Sequence, residues 1–222
     1  MKRCAELRAA LCGAALLLAA CTAPAPHYYG VPVRAHDAEP ASTAAAVAAA
    51  PGKGDPEQRF QAALKLMKDK QPQQAREAFV GLAQDFPQYA GPLNDLGVLQ
   101  AQGKQREQAI ASFARAIAAD DHDAFAWNWL GILYRESGDY ARAEQAYRKA
   151  IALQPGDAAA HLNLGILCEV YLGRPAEALA QYREYQRIAG PDNLMVGVWI
   201  RQLELRLQPT SLAANSSAGA MP

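Results

Sequence analysis

The sequence predicts an all-α chain in which about four helical hairpins stack as a right-handed α-solenoid closed by a C-terminal capping helix. Three aligned series of residues predict it. Small residues recur at Ala63, Gly97, Gly131 and Gly165, each 34 apart. Alanines recur at Ala75, Ala109, Ala143 and Ala178, and aromatic residues at Phe79, Phe113, Tyr147 and Tyr182, both with steps of 34, 34 and 35. Three series sharing one period mark a repeated supersecondary unit, and the stretch that carries them is rich in helix formers and poor in β-branched runs.

The chain opens with Lys2, Arg3 and Arg8, followed by an apolar stretch over 9–20 that is too short for a stable membrane span. This pattern reads as a cleaved signal peptide over residues 1–20. The stretch ends in Leu18-Ala19-Ala20-Cys21, which resembles the lipobox of bacterial lipoproteins. The resemblance implies that Cys21 becomes the acylated N-terminus, with covalent lipid in place of any reactive thiol. Several acyl chains hold a protein firmly on a membrane, whereas one chain does so only marginally. Thr22, rather than Asp, follows the cysteine. By the enterobacterial sorting rule the resemblance then implies the periplasmic leaflet of the outer membrane.

Residues 21–54 form a Pro- and Ala-rich stretch ending in Pro51-Gly52-Lys53-Gly54, which reads as a linker. As a flexible coil it has a typical reach of roughly 30 Å. Residues 208–222 have a similar polar, small composition and read as a disordered tail.

The repeats are expected at about 56–89, 90–123, 124–157 and 158–191 within a domain spanning 55–207. The third copy reads Trp127-x2-Leu130-Gly131-x2-Tyr134, Gly138-Asp139-Tyr140, Ala143-x3-Tyr147-x2-Ala150 and Pro155. It resembles the tetratricopeptide repeat almost without departure. Gly131 and Ala143 are small where the helices of a hairpin cross closely, and the large residues fill the space around that crossing. The second copy keeps Leu93-x2-Leu96-Gly97 and Ala109-x3-Phe113. The fourth has His161-x2-Leu164-Gly165 and Ala178-x3-Tyr182, with one residue inserted between its helices. The first, with Ala62-Ala63, Ala75-x3-Phe79 and Pro87, is the least typical. Asp192-Asn193 then opens a ninth helix, a cap over 192–207 for the apolar end of the array.

Residues with catalytic or metal chemistry are few. His27, His36, His122 and His161 are scattered, with no partner at metal-ligand spacing. Cys168, the one thiol left after leader removal and acylation of Cys21, stands at the place of Tyr134 and reads as a buried small hydrophobe. Glu144 and Glu177 fall on predicted solvent faces. The precursor carries 22 basic and 22 acidic residues, and loss of Lys2, Arg3, Arg8 and Glu6 leaves a charge of about −2, with no nucleic-acid footprint. The reading is therefore not an enzyme, with no metal, no cofactor beyond the Cys21 lipid and no small-molecule substrate.

Function is expected in the concave face lined by the first helices, where such arrays bind peptides or partner helices. The register assigns this groove Phe60, Gln61, Leu64, Asn94, Asp95, Val98, Phe125, Asn128, Trp129, Ile132, Arg135, Leu162, Asn163 and Ile166. In the chaperone-binding members of the tetratricopeptide family, Lys, Asn and Arg hold a C-terminal carboxylate. Phe60, Leu64, Asp95, Phe125 and Trp129 stand at those places here, so that mode is not expected. The groove instead suits an extended segment, with asparagines on its backbone and Phe125 and Trp129 anchoring its side chains.

The resemblance to tetratricopeptide lipoproteins implies an envelope adaptor or scaffold for a protein partner, held at the membrane by lipid. One alternative is a self-associating structural lipoprotein. Another is an accessory of a TonB/ExbB-type system, which Tyr182-Arg-Glu-Tyr-Gln with Trp199-Ile-Arg-x-Leu-Glu resembles.

Overall fold

The computed structural model describes residues 52–208, all within one compact unit. The leader, Cys21, nearly all of the linker and the tail after residue 208 lie outside the described residues. Among the described residues are nine α-helices and no strand. They are α1 (Pro56–Lys68), α2 (Pro72–Asp85), α3 (Ala90–Gln102), α4 (Arg106–Ala119), α5 (Ala124–Glu136), α6 (Tyr140–Leu153), α7 (Ala158–Ile166), α8 (Pro175–Ala189) and α9 (Leu194–Leu207). Each helix packs on the next in chain order, which gives four hairpins stacked as an α-solenoid with α9 against α8.

Local sequence starts and stops these helices. The side chains of Asp55, Asp123, Asp139, Asp157 and Asn193 accept backbone N–H groups in the first turns of α1, α5, α6, α7 and α9. Pro56, Pro72 and Pro175 sit in the first turns of α1, α2 and α8, where a missing N–H is harmless. The turn inside each hairpin needs one residue in the left-handed region. Gly138 (φ 83°) and Gly173 (φ 63°) fill it in the third and fourth hairpins, but Lys70 (φ 56°) and Lys104 (φ 58°) do so in the first and second.

The periodic small residues admit the periodic aromatics. A Cβ built on Gly97 would lie 2.8 Å from the Phe113 ring, and one on Gly165 would lie 2.5 Å from Tyr182. On Gly131 it would run into Tyr147 more closely still. Phe79, Phe113, Tyr147 and Tyr182 are consequently all buried, one per hairpin along the array.

The 35-residue step has a specific location. After α7 the chain makes a π-helical turn, Leu167–Tyr171, closed by Leu172 N–H to the Leu167 carbonyl at 3.1 Å. The wider turn absorbs the inserted residue, so α8 still reaches its packing position with Tyr182 over Gly165.

α9 covers the last hairpin, with Trp199 against Tyr182 at 5.4 Å between ring centroids and Arg183 paired with Glu204 at 2.7 Å. It leaves its own apolar row open: Leu194 is 80% exposed, and Met195, Val198 and Leu205 are also exposed. Leu194, Val198 and Leu205 follow i, i+4, i+11 spacing and share one face.

Candidate protein-binding groove

The first helices of the hairpins, α1, α3, α5 and α7, form the layer in which the sequence places the groove. The structure divides its residues into two sets. Leu64, Phe125, Trp129, Ile132 and Arg135 are partly exposed, whereas Phe60, Asn94, Val98, Asn128, Asn163 and Ile166 are buried.

The second set is part of the packing rather than of an open surface. Phe60 lies against Phe79 and Tyr89, with centroids 5.9 and 5.3 Å apart, because Gly91 leaves room for its ring. Val98 belongs to the apolar cluster built around Phe113. The asparagines spend their N–H groups internally: Asn94 Nδ2 donates to Asp123 Oδ2 at 2.6 Å, and Asn163 Nδ2 donates to Asn128 Oδ1 at 3.1 Å. They tie successive repeats together, so the expected asparagine contacts to a bound backbone have no free amide donor at these two bonds.

The first set contains one organised aromatic cluster. The Trp129 indole lies parallel to and offset from the Phe113 ring, 5.6 Å between centroids and 8° between planes, and meets Phe125 edge-on at 6.3 Å. Phe125 also meets Phe113 edge-on at 6.4 Å. Trp129 is therefore rooted in the preceding hairpin through one face while the residue remains partly exposed. That combination gives a rigid apolar platform with little left to order on binding.

Several polar groups in and behind this layer are incompletely matched. Arg135 Nη1 and the Tyr147 hydroxyl are both buried without a hydrogen-bond partner, although the equivalent Tyr182 hydroxyl in the next hairpin donates to Glu169 at 3.0 Å. Burial pushes the Tyr147 phenol up, so it stays a donor. Asp95 is 7% exposed, and its Oδ2 is enclosed with no partner. Burial alone raises its pKa to about 7.

The groups with other possible chemistry are accounted for by packing or exposure. Cys168 is free, buried in the π turn, and burial first of all pushes its thiol up to about 11. His161 is buried with Nδ1 2.8 Å from Gln181 Oε1 and Nε2 3.2 Å from the Pro155 carbonyl, which pins the start of α7 to α8. Asp120, Asp121 and His122 cluster in an exposed inter-repeat turn. Glu144, expected on a solvent face, instead sits between Arg148 (2.8 Å) and Arg174 (3.0 Å), with Glu177 completing a network that joins α6 to α8. Sequence spacing hides it because Glu144 and Arg174 lie 30 residues apart.

Residues 94–158 and 130–193 each match the family model for the tetratricopeptide repeat. Solved structures agree with this fold. A thermophilic TPR protein of Thermus thermophilus is 25% identical with a TM-score of 0.55, over 69% of this chain and 84% of that one. The pilF protein of Pseudomonas aeruginosa is 20% identical with a TM-score of 0.60, over 68% of each chain. MamA is 24% identical with a TM-score of 0.56, over 61% of this chain and 78% of its own. The last two likenesses concern the fold alone. No curated protein matches the chain.

Proposed function

From the premise that these hairpins are tetratricopeptide repeats, a fold that typically serves as a non-catalytic protein-interaction scaffold, we propose that the chain is a lipid-anchored adaptor of the bacterial cell envelope. It binds a protein or peptide partner along α1, α3, α5 and α7. The observation that carries this reading is the platform of Trp129 and Phe125: two large aromatics, held in place by Phe113, that remain partly exposed in the layer where stacked hairpins present their concave face. The adaptor takes no nucleic acid, no small-molecule substrate, no metal and no cofactor other than lipid on Cys21.

The anchor rests on Leu18-Ala19-Ala20-Cys21, and Thr22 favours the periplasmic side of the outer membrane. Among the described residues no helix is long and apolar enough to cross a membrane, so in this reading retention there depends on the lipid. Replacing Cys21 with Ala moves the protein from the membrane fraction to the soluble fraction and abolishes labelling by a palmitate analogue. Retention of both overturns the anchor.

The groove is tested with a photocrosslinker placed at Trp129 in intact cells, beside a control at Glu107 on α4. A partner captured reproducibly from the first position and absent from the second supports it, and equal capture from both refutes it.

A second reading, self-association, is favoured by the open apolar row Leu194, Val198 and Leu205 on α9. Light scattering that reports a concentration-independent monomer eliminates it. The TonB/ExbB reading draws no comparable support, since Tyr182 and Trp199 of its stretch are engaged with one another.

A further inference from the structure

Asp95 is a buried carboxylate of the groove layer for which packing gives no account. Its position follows from its neighbour: Gly91, one turn earlier on the same edge of α3, lies against the Phe60 ring of α1. Asp95 therefore stands on the edge of α3 that faces α1, beyond Phe60. The equivalent places in the next two hairpins are Trp129 and Asn163, and each reaches its neighbour, Trp129 through Phe113 and Asn163 through Asn128. Asp95 Oδ2 has no hydrogen-bond partner, and the titratable group that feels its charge, the Tyr89 phenol, donates its O–H to Glu57 instead.

A buried carboxylate without a partner is among the costliest groups a fold can hold, and an asparagine of the same shape would fill the same space without charge. The pKa of about 7 records this state, since desolvation is its only cause and no nearby cation opposes it. The neighbouring Asn94 is turned the other way, with its amide on Asp123 at the start of α5, and leaves Asp95 alone on the α1 side. The orphaned carboxylate asks for a donor that brings positive charge. A single carboxylate falls well short of the six or more oxygens that a calcium ion takes. A lysine or arginine needs only one such carboxylate, and its aliphatic stem suits the partly exposed Leu64 and Phe125 of the same layer.

We propose that Asp95 is the specificity element of this groove, receiving the lysine or arginine side chain of a partner segment that lies over the first helices. The proposal rests on the groove reading above and adds the chemistry of the partner: an apolar segment carrying one basic residue. The charge selects against other partners, because a segment lacking the cation leaves the carboxylate buried and unpaired.

The test uses the full chain, immobilised and panned against a random peptide library. The wild type enriches peptides that share a Lys or Arg within an apolar stretch. The best of these, made synthetically, loses at least tenfold in affinity for Asp95→Asn, and its own Lys→norleucine or Arg→citrulline version loses as much for the wild type. Unchanged helical CD and an undiminished melting temperature show that Asp95→Asn is folded. Peptides that bind Asp95→Asn as tightly as wild type, yet fail on Trp129→Ala, overturn the proposal and leave the groove reading standing. A library that yields nothing on the wild type, or nothing that Trp129→Ala weakens, overturns both.

Discussion

The first hairpin, α1–α2, and the third, α5–α6, build the same helix crossing from different residues. At the crossing the third uses Gly131 under Tyr147, whereas the first uses Ala63 near Phe79. At the turn the third has Gly138 with Asp139 capping α6, while the first has Lys70 in the left-handed region and no side-chain cap on α2. At the equivalent place on the first helix of the following unit, the first hairpin is faced by an unpaired Asp95, and the second by Trp129 stacked on Phe113. Tight packing and good local signals thus travel together. The start of the array carries a left-handed lysine and faces a buried carboxylate, whereas the third hairpin has glycine at its turn and its unmatched buried groups are Arg135 Nη1 and the Tyr147 hydroxyl.

The largest expected effect breaks the tight crossing. Gly131→Ala puts a methyl into the Tyr147 ring and costs about 3 kcal/mol, read as a lower denaturation midpoint. Ala63→Gly at the same place in the first hairpin costs only about 1 kcal/mol, through helix propensity. Equal losses would remove the distinction between the two crossings.

Trp129→Ala follows in size. Because one indole face lies on Phe113, the substitution lowers stability by about 2 kcal/mol while the helical CD signal at room temperature is retained and partner capture is lost. A completely preserved melting temperature would show that the stack contributes nothing to the fold.

Asp95→Asn should stabilise, and by an amount that depends on pH. The folded-state pKa of about 7 lies above the ordinary value near 4, so the folded protein holds an extra proton between those limits. The wild type therefore loses stability as pH rises from about 4 to about 7. The variant gains on it across that window and levels off above, by about 4 kcal/mol. Parallel stability–pH curves for the two proteins would show that Asp95 is not enclosed as described.

The smallest effect concerns the turns. Lys70→Gly or Lys104→Gly relieves a left-handed residue and raises stability by about 1 kcal/mol each, whereas Gly138→Lys lowers it by a similar amount. Calorimetric melting of the three variants measures the difference between first and third hairpins directly.

Much of this comparison is legible in the chain before any folding. The 34-residue period and the pairing of small with aromatic residues place all four hairpins, and Asp192-Asn193 marks the start of α9. These signals are local or periodic, so they survive without knowledge of contacts. The groove was legible only as a register. Phe60 and Asn94 fall on the expected layer, yet whether a side chain on that layer meets solvent or its neighbour depends on what the adjacent repeat presents. Gly91 leaves room for Phe60 to turn inward, and Asp123 takes the Asn94 amide.

By itself, then, the sequence determined the solenoid and its small-to-large crossings, because each is encoded within one repeat or its immediate copy. The tertiary structure alone decided where the extra residue of the fourth repeat goes, which groove residues remain open, and that Asp95 is buried without a partner. The first is a backbone choice inside the α7–α8 hairpin, made so that Tyr182 still lies over Gly165. The other two depend on side chains about 30 residues apart meeting across a seam between hairpins, where burial and pairing arise only once the seam is closed.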